Sequence, residues 1–473
     1  TIFSAQESAL QEGLLWVGSD DGLVHITKNG GESWENITPK DMPDWMMINS
    51  IEPSVFDPGT CYIAGTKYKS GDFSPYLYKT KNYGKTWTKI TNGINPEHFT
   101  RVVREDPVRQ GLLYAGTETG LYISFNDGEN WKPFQLNLPI VPITDLTIKE
   151  NNLIVATQGR SLWILDDLTV IHQLYESDLQ NNILFKPKDT YRMGGRSVKN
   201  NKTNGTNLES GVITYFNLNN YNKKDEVSLT YFNAKGDTIK TFSTTSKKNK
   251  LALKKGSNKF VWDMIYDGAA TFPGLIMWSG SLRGPRAIPG NYVVNLNVNG
   301  EVSKKTFKIL KDPRAESSIE DIEKQFIFIE EINNTLDKTH KTIKKIRNIN
   351  KKLDVFVTQY KNDLNVKGLV EKASTLKEQF SAIEKALYQT KNRSRQDPLN
   401  FPIKLNNKLA HLNALVGRGD FAPTDQDFEV KNELTQKINE QLQIFDDLIA
   451  NDIKSFNALF NAKNLTYLEV EDK

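Results

Sequence analysis

The sequence is poor in the residues that build most covalent and metal-bound sites. Its 473 residues include one cysteine, Cys61, so an internal disulfide framework is excluded. No P-loop, GxSxG or dinucleotide fingerprint is present. None of the histidines pairs at metal-ligand spacing; they are His25, His98, His172, His340 and His411. We therefore expect no metal and no cofactor. The alternative is a calcium ion, for which the candidate ligands are the pairs Asp20-Asp21 and Asp166-Asp167.

The sequence also lacks a strong charge of one sign and a long apolar run. Its 61 lysines and arginines against 57 aspartates and glutamates leave a net charge of +4, which gives no argument for nucleic acid. The lysine-rich stretch 338–352 has little aromatic interleaving and is interpreted as a solvated helix face. No run approaches the roughly 20 apolar residues of a membrane span. The chain opens on Thr1, close to a strand-like segment, and we expect it to be the C-terminal part of a longer protein.

A repeat organises the first 170 residues. Three segments fit the pattern [Ser/Thr]-x-Asn-x-Gly-x-x-Trp, and their tryptophans lie 53 and 44 residues apart, the length of one propeller blade. A second repeat precedes the turn: residues 16–23 parallel residues 114–121, with a looser copy at 155–163. The motif residues are Thr27, Asn29, Gly31 and Trp34, then Thr80, Asn82, Gly84 and Trp87, then Ser124, Asn126, Gly128 and Trp131.

The residue types in this motif suit a tight turn. The Ser/Thr hydroxyl and the Asn side chain can bond nearby backbone groups, and Gly supplies a positive φ. The Trp is expected to fold back under its hairpin, so we predict that Trp34, Trp87 and Trp131 are buried at equivalent positions. Because the motif recurs in each blade, a structural role is favoured over catalysis.

These segments resemble the Asp-box, or BNR, repeat of sialidases and sortilin-type propellers, with Asn in place of the usual Asp. Residues 157–167 are similar to the closing strand of exported bacterial proteins labelled glycosyl hydrolases for such repeats. The resemblance covers most of the chain, although the Asp-boxes are its specific motifs. It implies that residues 1–175 are the C-terminal blades of a β-propeller, and that the protein reaches the bacterial periplasm or cell surface. Three boxed blades and one unboxed blade are not expected to close a ring by themselves.

Residues 176–312 are rich in strand-forming segments, with a hairpin signature at Asn299-Gly300. They predict an immunoglobulin-like or fibronectin type III-like β-sandwich. The loop from Asp267 to Gly290 mixes apolar and basic residues and is either a contact surface or a cover over the end of the sandwich or of the propeller. The candidate contact residues in this loop are Trp278, Arg283 and Arg286.

Residues 313–473 show apolar positions at 3–4 residue spacing, which predicts an antiparallel α-helical bundle. The expected helices begin near Ser318 and run past residue 350, then cover about 369–388, 403–416 and 425–462. The bundle carries few residues suited to nucleophilic or metal chemistry. We interpret it as an adaptor surface, with a structural cap as the alternative.

The fold class is thus mainly β plus α, and two functions remain open. The favoured one is a binding or scaffolding protein of an exported or cell-envelope assembly, with protein partners, such as an outer-membrane or cell-surface complex, or a glycan ligand. The alternative is a sialidase-like or other glycoside hydrolase whose catalytic groups lie on blades partly outside this chain. No spacing selects a catalytic pair, so no catalytic residue is assigned. The charged candidates in the blades are Arg101, Arg104, Glu105, Asp106, Glu118 and Arg160.

Overall fold

A computed structural model describes residues 1–174, 181–193 and 205–463. The chain divides into two compact units, Thr1–Ser177 and Asp178–Lys473. In the described residues, the first unit contains strands, a 3-10 helix at Tyr68–Ser70 and one short α-helix, whereas the second contains strands followed by long helices. Within the described part of the chain, no helix has both the length and the apolar character needed to cross a bilayer.

The first unit consists of four small antiparallel sheets that follow one another along the chain. Three sheets have four strands in sequence order, and the fourth has three strands. The strands are β1 (Ile2–Glu7), β2 (Leu15–Ser19), β3 (Val24–Thr27), β4 (Glu35–Asn36), β5 (Met47–Pro53), β6 (Cys61–Lys67), β7 (Asp72–Thr80), β8 (Thr88–Lys89), β9 (Thr100–Glu105), β10 (Leu113–Thr117), β11 (Gly120–Ser124), β12 (Lys132–Pro133), β13 (Ile143–Lys149), β14 (Asn152–Thr157) and β15 (Leu162–Leu165), followed by helix α1 (Thr169–Gln173).

These sheets are arranged like the blades of a propeller. Their first strands contact one another in chain order, β1 with β5, β5 with β9, and β9 with β13. Each apolar core lies between two successive sheets, so that Trp16 packs with side chains of the second sheet and Tyr114 with side chains of the fourth. Burial of such large aromatic and aliphatic side chains between sheets holds the series together.

The second unit begins with two sheets that share one core. The three-stranded sheet has the order β16-β18-β21 and the five-stranded sheet β17-β23-β22-β19-β20. Trp262, Tyr231 and Phe307 pack in the common core. The Asn299-Gly300 turn joins β22 and β23, and both turn residues have positive φ. The strands are β16 (Ile183–Leu184), β17 (Thr190–Tyr191), β18 (Val212–Leu218), β19 (Val227–Asn233), β20 (Thr238–Ser243), β21 (Gly256–Trp262), β22 (Gly290–Val298) and β23 (Glu301–Leu310).

The helical region starts at a capping box, in which Ser318 and Asp321 satisfy each other's backbone N–H groups. A second capping box, of Thr424 and Asp427, starts the last long helix. That helix was predicted to continue to residue 462, but a π-helical segment, Leu448–Ile453, divides it. The helices are α2 (Ile319–Tyr360), α3 (Lys367–Leu387), α4 (Leu405–Val416), α5 (Asp425–Asp447) and α6 (Lys454–Ala462).

Sheets and helices of the second unit are joined by the loop between β21 and β22. The backbone N–H of Trp278 donates to Asn407 Oδ1 over 2.7 Å, and the Asn407 amide donates back to the Trp278 carbonyl over 2.9 Å. Asn413 likewise donates to the carbonyl of Ser281. The boundary predicted between residues 312 and 313 therefore separates two parts of one compact unit.

The burial prediction for the three motif tryptophans is wrong for Trp34. Trp131 is 3% exposed and Trp87 is partly buried, whereas Trp34 is 46% exposed. The reason is that Trp87 and Trp131 pack against the sheet that precedes their own, a contact that Trp34 on the first sheet does not make. Trp87 donates its indole N–H to the carbonyl of Ile37, and Trp131 donates to that of Ile90.

Candidate functional site

The three motif hairpins share one hydrogen-bond pattern. In the first, the Thr27 hydroxyl donates to Asn29 Oδ1 over 2.8 Å and accepts the Gly31 N–H over 3.0 Å. The Asn29 oxygen also accepts the backbone N–H of Ser33. The same bonds recur around Asn82 and around Asn126. The polar side chains of the motif therefore use their hydrogen bonds to stabilise the turn.

The six charged candidates do not converge on one site. Arg101 pairs with Glu118 at 2.6 Å, while Arg160 is exposed and its carbonyl accepts the Trp163 indole N–H. Arg104 and Asp106 belong to separate hydrogen-bond networks, and Glu105 is linked to the Arg104 group through its backbone N–H, which donates to Glu52 Oε1. The sialidase-like pattern of several arginines around one substrate carboxylate is thus not formed by Arg101, Arg104 and Arg160 within the described residues.

Arg104 joins three successive first strands. Its Nε donates to the carbonyl of Leu146 over 2.8 Å, and its Nη2 to Asp145 Oδ1 over 2.7 Å, both on β13. Its Nη1 donates to the Ser50 hydroxyl over 2.7 Å and lies 3.5 Å from Glu52 Oε2, both on β5. A guanidinium with its donors so engaged acts as a bridge between sheets.

Glu52 and Asp145 were not selected from the sequence, because neither lies in a segment that repeats. They lie on β5 and β13, the strands equivalent to the Arg104 strand β9. Burial raises the pKa of Glu52 to about 7, against the opposing charge of Arg104. The Glu52 side chain is 20% exposed and that of Asp145 is 63% exposed. Two carboxyl groups in different environments thus flank one arginine. Different environments can give the two groups different pKa values, so that one can serve as an acid and the other as a base.

Asp106 and Glu105 form the neighbouring networks. Asp106 Oδ2 bonds His172 Nε2 at 2.8 Å and accepts the Tyr114 hydroxyl at 3.2 Å. Burial acts to raise the pKa of Asp106, but the bond to His172 and two backbone N–H groups outweigh it, and the pKa is lowered. Burial raises the pKa of Glu105, whose Oε1 accepts the Gly111 N–H. These carboxyls lie inside the sheets and serve their packing.

An aromatic cluster lies where the second and third sheets meet. We define the aromatic end cluster as Tyr68, Phe73, Phe99 and Arg101. The Tyr68 and Phe99 rings are stacked at 5.1 Å, and Phe73 lies 6.0 Å from Phe99. The Arg101 guanidinium lies over both Tyr68 and Phe99 and is held by Glu118. Phe73 is 52% exposed, so the cluster offers an apolar ring to solvent beside a charged pair.

Trp45 precedes β5 and is the most exposed tryptophan of the described residues at 73%. It has a positive φ of 60°, which is uncommon for a bulky side chain. Its backbone lies against Gly22, where a Cβ atom would come within 3.5 Å of the Trp45 nitrogen. The first sheet therefore holds the backbone of this residue while its side chain faces solvent.

The candidate contact loop of the second unit is mostly occupied by internal contacts. Trp278 is 39% exposed although its backbone is held by Asn407. The Arg283 guanidinium lies 3.2 Å from Asp263 Oδ2. Burial lowers the pKa of Arg286, and the nearby Arg192 adds to this effect. The loop thus connects sheet and helices, and a contact role for Trp278 stays a prediction.

Three of the four candidate calcium ligands are also engaged in hydrogen bonds. Asp20 accepts a bond from the Thr1 amino group, Asp21 from the Ser19 hydroxyl, and Asp167 Oδ1 from the Thr169 N–H. In the described parts of the chain, no three histidine, cysteine or acidic side chains are grouped as a metal site. A calcium role for these pairs stays a prediction.

No family model matches the chain. A stretch of 111 residues is 26% identical to an oligoxyloglucan-reducing end-specific xyloglucanase from Emericella nidulans, which is 22% of this chain and 13% of that enzyme. Among solved structures, a GH74 xyloglucanase from Xanthomonas campestris is 12% identical with a TM-score of 0.29, over 65% of this chain and 45% of the other. YCF48 from Cyanidioschyzon merolae is 18% identical with a TM-score of 0.28, over 35% of this chain and 53% of the other. The chain is thus similar in a short stretch of sequence to a curated xyloglucanase of which it spans 13%.

Proposed function

We propose that this chain is a binding or scaffolding protein of an exported or cell-envelope assembly, and that its propeller-like unit contacts a glycan. The observation that carries the proposal is that charged side chains are used in internal bonds while large apolar side chains are exposed. The charged candidates Arg104, Glu105 and Asp106 are engaged in bonds within and between sheets. Large apolar side chains such as Trp45 and Phe73 face solvent instead. Phe73 lies beside the stacked rings of Tyr68 and Phe99, and grouped apolar surface of this kind supports a contact site.

The aromatic end cluster has the chemistry that a sugar ring requires. The exposed ring of Phe73 offers a flat apolar face, and the Arg101–Glu118 pair offers donors and acceptors for hydroxyl groups. The xyloglucanase whose sequence is similar over 111 residues supports a glycan of the xyloglucan type as the first ligand to test.

The second unit supplies the scaffolding part of the proposal. In this proposal, its two sheets form an immunoglobulin-like or fibronectin-like sandwich, and its helices form an antiparallel bundle that serves as an adaptor. The support is that α2 is 42 residues long and carries a continuous row of buried apolar side chains, which leaves its polar face for a partner. A protein of an outer-membrane or cell-surface complex is the proposed partner.

Glycan binding is tested by affinity gel electrophoresis of the full chain in soluble xyloglucan. The unmodified protein should be retarded, and Phe73→Ala and Trp45→Ala should each reduce the retardation several-fold. Leu162→Ala is the matched control, because Leu162 is also an exposed apolar residue, at 69%, and lies on the fourth sheet. Equal migration with and without xyloglucan, cellulose-derived and mannan-type glycans would contradict glycan binding.

A glycoside hydrolase is the second candidate, and Glu52 favours it. Its pKa of about 7 suits a general acid, and Asp145 lies across Arg104 as the second carboxyl. In this case Glu52→Gln and Asp145→Asn should each abolish release of reducing sugar from xyloglucan oligosaccharides. Absence of sugar release by the unmodified protein would reject this candidate for these substrates while leaving binding intact.

A further inference from the structure

The charged side chains of helix α2 are divided into two halves of opposite sign. Residues 320–337 contain six acidic side chains and one basic side chain, whereas residues 338–352 contain seven basic side chains and no acidic one. Acidic groups at the start of a helix and basic groups at its end interact favourably with the helix dipole, but only within the first and last turns. The dipole therefore does not account for a change of sign near the middle of a 42-residue helix.

Five of these side chains recur at every seventh position and form one row, which we call the charge row. Its members are Glu323, Glu330, Asp337, Lys344 and Lys351. Because two turns of an α-helix contain about seven residues, side chains at this spacing lie along one face. The outer four members are exposed, and the side chain of the middle one, Asp337, is 31% exposed. The charge row therefore runs along the solvent side of α2, from acidic to basic.

The fold leaves most of the charge row without a partner of opposite sign. Asp337 pairs with Lys341 of the same helix at 2.7 Å, and Arg347 beside the row pairs with Glu384 of α3. Within the described residues, the other four members of the row form no ion pair. Like charges three or four positions apart, such as Lys341 and Lys344, repel each other on a helix. A surface that brings carboxylates to the basic half would therefore stabilise it.

The charge row is complementary to itself when a second α2 runs in the opposite direction. Turning the helix end for end about Asp337 brings Glu323 level with Lys351, and Glu330 level with Lys344. A contact between two identical surfaces related by a twofold axis requires this property, because each pair of residues meets twice. An anionic polymer would suit the basic half of the row but would be repelled by the acidic half.

Two exposed apolar side chains lie beside the ends of the charge row. Ile327 is 53% exposed and Val355 is 60% exposed, and each follows a member of the row by four positions, which is the neighbouring place on the same face. We propose that α2 is the contact surface of a homodimer, in which two copies of this chain pair their α2 helices antiparallel. The charges set the direction of the helices, and the apolar side chains add contact area at both ends.

This proposal names a partner for the polar face of α2, so it rests on the adaptor role given above but not on glycan binding. The first test is sedimentation velocity of the full chain at two salt concentrations. The protein should be dimeric at about 0.01 M salt, where charges are screened over about 30 Å. Association should be at least about ten-fold weaker at about 1 M salt, where screening acts over about 3 Å.

The second test reverses one half of the charge row at a time. Glu323→Lys with Glu330→Lys gives the four outer positions lysine, and Lys344→Glu with Lys351→Glu gives them glutamate. Each double variant alone should be monomeric at low salt, because two rows of one sign repel each other. An equimolar mixture of the two variants should restore the dimer, because a basic row then faces an acidic one.

The matched control is Lys235→Glu with Lys304→Glu, which changes the net charge equally at two exposed positions of the five-stranded sheet and its turn. This variant should dimerise like the unmodified protein, and circular dichroism verifies that all variants keep their helices. The proposal is overturned if the unmodified protein is monomeric at low salt, or if the mixture of the two folded reversed variants stays monomeric. Retention of a monomeric protein on a phosphate-bearing column would assign the basic half to an anionic polymer and also overturn it.

The adaptor role and the homodimer can fail separately. If the unmodified protein is monomeric but a different protein is bound by α2 and lost in both reversed variants, the adaptor role holds and the homodimer does not. Retardation in xyloglucan does not depend on either result.

Discussion

At the scale of single residues, the buried carboxyl group of Glu52 should make the stability of the protein depend on pH. Burial raises its pKa to about 7 from 4.5, so the folded chain holds a proton that the unfolded chain releases between these values. The free energy of unfolding should therefore fall as the pH rises from 4.5 to 7 and level off above. The shift corresponds to at most about 3 kcal/mol, at roughly 1.4 kcal/mol per pKa unit. Denaturant unfolding at pH 4.5, 6 and 8 measures this change.

Glu52→Gln provides the comparison, since a neutral amide does not titrate. The free energy of unfolding of the variant should lose most of its pH dependence between pH 4.5 and 7. At pH 8 it should be higher relative to that of the unmodified protein than at pH 4.5. If both proteins show parallel curves between pH 4.5 and 8, the buried state of Glu52 is not as described.

The motif tryptophans make a second prediction at this scale. Trp131 is 3% exposed and donates to Ile90, so Trp131→Ala should lower the free energy of unfolding by about 3–5 kcal/mol. Trp34→Ala should cost less than about 1 kcal/mol, because its side chain has little packing to lose. Calorimetric unfolding of the two variants checks the ranking, and a cost for Trp34→Ala equal to that for Trp131→Ala would contradict it.

At the scale of single elements, the motif hairpins depend on an oxygen rather than on a charge. Asn126 Oδ1 accepts the Ser124 hydroxyl and the Asn130 N–H. Asn126→Asp keeps this acceptor and should leave the free energy of unfolding within about 0.5 kcal/mol. Asn126→Ala leaves the Asn130 N–H unsatisfied and should cost about 1 kcal/mol. Thermal unfolding of both variants measures these two effects. An equal loss of stability in both variants would show that the turn does not need the oxygen.

The joint between loop and helices in the second unit contains a buried histidine. His340 Nδ1 lies 2.6 Å from the Ala270 carbonyl, and its Nε2 lies 3.1 Å from the Asn406 amide nitrogen. Burial lowers its pKa from the usual 6.5, although the Ala270 bond and Asp337 oppose the effect. The folded chain thus disfavours the charged ring, and stability present above pH 6.5 should be lost below it, by up to about 1.4 kcal/mol per pH unit.

His340→Gln checks this assignment in denaturant unfolding between pH 7 and 5. The glutamine variant should be less stable than the unmodified protein at pH 7 but less sensitive to acid. A variant with unchanged acid sensitivity would show that other groups cause it.

Elements with local signals could be predicted from the sequence, whereas contacts between distant elements could not. The hairpin turns and the capping box at Ser318 follow from side chains within a few residues. The exposure of Trp34 depends on a sheet that the motif does not contain, and the Glu52–Arg104–Asp145 group joins strands more than 40 residues apart. The packing of the Trp278 loop on α4 depends on Asn407, 129 residues later, and no local periodicity indicates it.

At the scale of the whole molecule, the two units are expected to respond separately to a change in one of them. The sheets and helices of Asp178–Lys473 share the loop that carries Phe272, whose ring packs on His340 and Tyr388. Deleting residues 315–473 should therefore destabilise the remaining sheets of the second unit, while the first unit keeps its unfolding temperature. Hydrogen exchange of amides in β6 and in β22 separates the two responses, and equal loss of protection in both would contradict the division.

The proposed function requires that the propeller-like unit binds its ligand without cleaving it. The most direct measurement is a single incubation of the full chain with xyloglucan oligosaccharides, in which bound ligand is quantified by equilibrium dialysis and recovered ligand is sized by chromatography. We expect saturable binding that Phe73→Ala weakens, with oligosaccharides recovered at their original length. Shortened oligosaccharides from the unmodified protein, but not from Glu52→Gln, would contradict it.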